Sequence, residues 1–213
     1  MKLNKVMALA LSGLMAVSML AGCSSDPSNG DGGNTEVTPP ASTAVSVMND
    51  SQGYVEFEAN SDFDAALAAA AKKAKQDEVK DATYTVVSAF NDSVYQELAK
   101  KLPVGEKMYG NIYDIYFTTT NVSSNDAENT RNILVYVKNE GLSEEAALKQ
   151  IASQMDKASN YPEIVSFNSK NYKATYTGNV SIVTVNTADN GDTASAYYIA
   201  VSVTQTISRD AVV

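Results

Sequence analysis

Histidine is absent from this chain, which removes the commonest general base near neutral pH, every Ser-His-Asp or Cys-His arrangement and most catalytic zinc sites. A single cysteine, Cys23, rules out an internal disulfide, so any folded domain is held by its core alone. Tryptophan is also missing. Neither a Walker-type phosphate loop nor a G-x-G-x-x-G turn occurs, which leaves nucleotide binding without support. Basic residues are scarce: 16 Lys and Arg stand against 25 Asp and Glu, a formal charge of −9 that repels phosphate backbones and argues against nucleic acid as a partner.

What is present begins with a basic start (Lys2, Lys5), an apolar run from Val6 to Leu20 and then Leu20-Ala21-Gly22-Cys23. That is the layout of a secretory signal with small residues before a cleavage point. Ser12, Gly13 and Ser18 interrupt a run already shorter than the ~20 apolar residues of a membrane span. The four residues resemble the lipobox of bacterial lipoproteins. The resemblance implies cleavage between Gly22 and Cys23, lipidation of Cys23 and a protein anchored to the cell membrane on its extracytoplasmic side. Two acyl chains suffice for stable anchoring, at about 0.8 kcal/mol for each buried methylene. Loss of Lys2 and Lys5 with the signal leaves 14 basic against 25 acidic side chains, a charge of −11.

Residues 1–22 are therefore expected as the signal peptide and residues 23–52 as a lipid-anchored disordered tether. The latter is dominated by Ser, Gly, Asn, Asp, Thr and Pro, including Gly30-Asp31-Gly32-Gly33 and Pro39-Pro40, and has little apolar surface to offset ordering. Such a tether would span an end-to-end distance of about 30 Å. Residues 53–213 are expected as one domain, since about 160 residues suit a single core.

Within that domain the spacing predicts three helices. The first runs over Asp62 to Lys80, with Asn60 or Ser61 as cap and an alanine-rich face of Phe63, Ala66, Leu67, Ala70 and Ala74. The others run over Asp92 to Lys101 and over Ser143 to Ala158. Alternation predicts strands at Tyr54–Phe57, Tyr84–Phe90, Ile112–Thr119, Ile133–Val137, Val180–Val185 and Ala196–Ile207. In the last, Tyr197, Ile199, Val201, Val203 and Ile207 form an apolar face; Tyr198, Ala200, Ser202, Thr204 and Thr206 form the wet one. Asn190-Gly191 suits a hairpin turn joining the last two strands. The expected class is α+β, a mostly antiparallel sheet with about three helices packed on it.

Residues able to carry chemistry are few. Glu56, Glu58, Asp62 and Asp64 form the densest acidic cluster, which reads as helix capping and a solvated face, with two-carboxylate hydrolysis as the sharper alternative. Asp189-Asn190-Gly191-Asp192 lacks the bidentate Glu of a calcium loop and reads as a turn. Asn125-Asp126-Ala127-Glu128-Asn129 offers oxygens but reads as a polar loop or helix start. Twelve tyrosines are available, and Tyr109, Tyr113, Tyr116 and Tyr161 are candidates for a flat contact surface for sugars or peptides as well as for ordinary strand positions.

Ala127-Glu128-Asn129-Thr130-Arg131-Asn132-Ile133, the Ser143-Glu144-Glu145-Ala146 helix start, Tyr161-Pro162-Glu163-Ile164, Tyr172, Gly178-Asn179-Val180 and Tyr197-Tyr198-Ile199-Ala200-Val201 together resemble a degenerate CAP superfamily domain over residues 127 to 205. The resemblance implies an α-β-α sandwich with a cavity. The family's cavity histidines have no counterpart here, and Tyr161 stands near where its His-Arg pair falls. Glu128 is the one cavity acid that carries over, as a weak catalytic candidate, and neither metal nor cofactor is implied. The expectation is a cell-surface lipoprotein whose domain binds cell-wall glycan, peptide or another envelope protein without catalysis. The alternative is a carboxylate-dependent hydrolase of cell-wall glycans.

Overall fold

The computed structural model describes residues 41–75, 79, 85–86, 92–117, 127–138, 141–189 and 192–212. Among the described residues seven strands form one sheet: β1 (Glu56–Glu58), β2 (Thr85–Val86), β3 (Met108–Tyr109), β4 (Glu128–Lys138), β5 (Ile164–Phe167), β6 (Lys170–Asp189) and β7 (Asp192–Val212). The strand order is β1-β6-β7-β4-β2, with β3 also paired to β4 and β5 to β6. All pairs are antiparallel except β1 with β6 and β3 with β4. The described helices are α1 (Ala41–Ser51), α2 (Ser61–Ala71), α3 (Ser93–Ala99) and α4 (Glu144–Met155). The architecture is α+β with a mostly antiparallel sheet. The expected hairpin is formed: β6 and β7 pair back from Asp189 opposite Asp192.

Period-two alternation sends neighbouring side chains of the three long strands into two separate cores. Ile133, Val135, Ile182, Ile199 and Val201 join one core with Met48 of α1 and Leu148, Ile151 and Met155 of α4. Leu134, Tyr136, Val183, Tyr198 and Ala200 join the other with Phe63, Leu67 and Ala70 of α2 and Val94 and Leu98 of α3. This corrects the expectation of one apolar and one wet face in the final strand. Tyr198 and Ala200 are fully buried, polar residues begin only at buried Ser202, and exposure begins at Thr204. The alanine-rich face of α2 and the apolar face of α3 together form the core that covers them.

Helix α1 corrects the expected tether over residues 41–52, where the composition concealed an amphipathic turn; residues 23–40 lie outside the described residues. Ala44 and Met48 are buried. Asn49 grips the backbone of Phe57 from both sides, its Oδ1 accepting from Phe57 N at 2.8 Å and its Nδ2 donating to Phe57 O at 2.9 Å. Buried Gln52 accepts from Tyr54 N and Val55 N and donates to Val55 O. Two amides thus replace strand partners along the entry to β1, so ordered structure begins by residue 41.

Three boundaries also move. Helix α2 stops at Ala71, because Lys73 N and Ala74 N bond three residues back, to Ala70 O and Ala71 O, and tighten the chain out of the α-helix. Residues 112–115 form a 3₁₀ turn in place of a strand. Asn111 Oδ1 caps it at Tyr113 N, and Ile112 and Ile115, three apart, turn inward. Helix α4, capped by Ser143 Oγ at Ala146 N, ends at Met155, and a separate 3₁₀ turn covers Ala158–Asn160. Among the described residues no helix is long and apolar enough to cross a membrane.

Candidate binding cleft

The second core stops partway along the sheet. Its last fully covered row is Ser181, Ala200 and Leu134, side by side on β6, β7 and β4. Beyond it the same face carries Asn179–Ser202–Asn132, then Thr177–Thr204–Thr130, then Thr175–Thr206–Glu128. With helix α2 and the segment that follows α3 on one side and the polar rows as floor, a cleft of about 370 Å³ opens. Phe63, Ala66, Leu102 and Pro103 contribute an apolar wall; Asn132, Asn179, Ser202, Thr204 and Thr130 contribute the floor.

Asn179, Thr130 and Thr204 of the floor are held by local side-chain hydrogen bonds. Asn60, the cap of α2, accepts from Asp62 N and Phe63 N and donates through Nδ2 to Asn179 Oδ1 at 3.3 Å. Asn179 in turn donates to Glu58 O. Thr130 and Thr204 share a hydroxyl hydrogen bond of 2.8 Å across β4 and β7.

Asn132 is satisfied at its nitrogen and not at its oxygen. Its side chain is fully buried, and Nδ2 donates to Glu106 Oε2 at 3.0 Å and to Lys107 O at 3.4 Å. Both neighbours are acceptors only, so the amide cannot be turned around without facing oxygen against oxygen. Its Oδ1 has no partner in the protein. A buried acceptor left unmade costs about 1–3 kcal/mol, which a donor from a ligand would recover.

A second recess of about 440 Å³ adjoins the first and shares Glu106 and Thr130 with it. Glu128 lines this recess as an exposed residue at the start of β4. Asp62 lines the main cleft, whereas Glu56 and Glu58 project outward from β1 on either side of buried Phe57. Asp64 is half-buried, and burial pushes its carboxyl above the ordinary aspartate range while a hydrogen bond from Ser181 pulls the other way. The acidic cluster read from the sequence is therefore split. Among the described residues no group of three or more His, Cys, Asp or Glu is placed to hold a metal ion.

Other sequence candidates are placed as follows. Cys23 lies outside the described residues, as do Asn125, Asp126, Asn190 and Gly191. The tyrosine surface is corrected: Tyr161 is buried, Tyr109 and Tyr116 are half-buried, and of the four only Tyr113 is exposed. Tyr161 instead centres an aromatic cluster with Tyr54, Tyr116, Phe117 and Tyr176. Arg131 closes that cluster, its guanidinium 4.5 Å over the Phe117 ring and its Nη1 donating to Asp114 O and Tyr116 O.

Glu106, Asn132, Asn179 and Ser202 were not singled out from the sequence as site residues. The usable signal was a polar residue at an inward strand position, Asn132 immediately before Ile133 and Ser202 immediately after Val201. Comparison with protein-family models, with curated proteins and with solved structures finds no significant match to this chain.

Proposed function

We propose that this chain is a lipoprotein anchored to the cell membrane through Cys23 and that its extracytoplasmic domain binds a component of the cell envelope, foremost cell-wall glycan, in the cleft over β4, β6 and β7. The observation that carries the binding reading is the unpartnered Oδ1 of buried Asn132 at a floor of amides and hydroxyls facing an apolar wall. Sugars present the same two surfaces, a C–H face and a rim of hydroxyl donors, and pockets of this kind use few placed polar groups for orientation. Membrane attachment rests on the lipobox-like Leu20-Ala21-Gly22-Cys23.

A second reading, carboxylate-dependent hydrolysis of wall glycans, is favoured by one observation: Glu106 borders both recesses, with Asp62 in one and Glu128 in the other. Incubation of the purified protein with wall glycans separates the two. Saturable binding without release of reducing ends supports the binding module, whereas turnover lost in Glu106→Gln or Glu128→Gln replaces it with the hydrolase. Cys23→Ala should move the protein out of the membrane fraction; a mature-size variant that stays there would overturn the anchor.

A further inference from the structure

Resting on the glycan-binding reading above, we propose that the cleft selects a sugar carrying a free, protonated amine over its N-acetylated form. The floor asks for a donor, because its one buried side-chain atom without a partner, Asn132 Oδ1, is an acceptor that the amide cannot exchange for its nitrogen. The charged side chains that line the cleft, Asp62, Glu106 and Lys101, sum to −1. Glu106 accepts from Asn132 through Oε2, and Asp62 lines the same cleft. Among the described residues no lysine or arginine lies within 4.0 Å of either carboxylate.

The cations nearby do not cancel this. Lys101, which also lines the cleft, shares Glu97 with Lys100, at 3.7 and 3.3 Å, and Lys107 is exposed on the neighbouring recess beside Glu128. Asn132 Oδ1 is covered in this structure, so an ammonium seated on the Glu106 carboxylate would make its charge-assisted hydrogen bond there, about twice as strong as a neutral one, and would reach Oδ1 as the side chains above it move aside. An acetamido group would offer one neutral N–H and bring an extra carbonyl acceptor against the Glu106 carboxylate. The sugar's C–H face would lie on Phe63, Leu102 and Pro103. The adjoining recess, with Glu128, provides a place for the next residue of an oligosaccharide.

The test is calorimetric titration of the purified full-length chain in detergent with a glucosamine oligomer, an N-acetylglucosamine oligomer and a short lysine peptide. At mildly acidic pH, where the amine is protonated, the glucosamine oligomer should bind roughly tenfold tighter than the acetylated one. The preference should disappear in Glu106→Gln, which keeps an acceptor for Asn132 Nδ2, and should fade as pH rises through the amine's own pKa. Asn132→Leu should weaken both sugars; should that variant fail to fold, Glu106→Gln still decides. Equal affinity for the two sugars overturns the amine selection and leaves glycan binding standing. Tighter binding of the lysine peptide overturns the choice of a sugar. No binding of any of the three overturns both the selection and the cleft as a glycan site.

Discussion

Phe57 lies so close against Gly178 that a Cβ at residue 178 would come 2.8 Å from Phe57 Cε1 and 2.9 Å from the backbone oxygen of Ser202. The two residues are register partners where β1 joins β6 in parallel. A ring can rotate away, but the Ser202 carbonyl belongs to the β7 ladder and cannot. Gly178→Ala should therefore destabilise the domain by about 1–3 kcal/mol, although alanine ordinarily improves a strand interior. Denaturant unfolding measures this. Because Ser202 is also a floor residue, ligand affinity should fall in the same variant.

Tyr161 and Tyr176 share one aromatic cluster with rings 5.2 Å apart, yet their hydroxyls differ. Tyr161 Oη is buried without a partner, whereas Tyr176 Oη donates to Pro162 O and accepts from Gln205 Nε2. Tyr161→Phe should be neutral or stabilising by about 1 kcal/mol, and Tyr176→Phe should cost about 1–3 kcal/mol because it strands a buried amide. Equal losses in thermal unfolding of the two variants would contradict the assignment.

Asp64 supplies a pH signature. Its folded carboxyl is raised, chiefly by burial, so the charged form costs more folded than unfolded. The penalty is absent below the ordinary aspartate range, grows as pH rises through it to the folded value, and is complete above that. Asp64→Asn, which can still accept from Ser181, should raise the melting temperature near neutral pH, and the difference should vanish in acid. A constant difference across the titration would show that burial is not the cause.

Much of this fold was legible because its longest elements carry strong periodicity. Ile199, Val201 and Val203 marked the central strand, Ser143 with Glu144 and Glu145 marked α4, and Asn190-Gly191 marked the hairpin. What escaped depended on contacts distant in sequence. The segment around Met48 reads as tether until Asn49 and Gln52 find the backbone of β1, and Ile112–Ile115 alternates like a strand until Asn111 caps it. Tyr198 and Ala200 read as a wet face because nothing local announces that α2 will cover them. The cleft escaped for the same reason: Glu106 and Asn132 are 26 residues apart and meet only when β3 pairs with β4. Cys23 and Glu128 were visible as residue types, and neither required the fold to be noticed.

The cleft itself is tested most directly by two-dimensional NMR of the isotopically labelled chain titrated with the glucosamine oligomer. Saturable shifts should concentrate on the side-chain amide of Asn132 and the backbone amides of Ser202, Thr204 and Glu106, with Tyr54 and Tyr113 unmoved. Saturable shifts centred on Tyr54 and Tyr113, with Asn132 and Ser202 unchanged, would contradict the cleft as the ligand site.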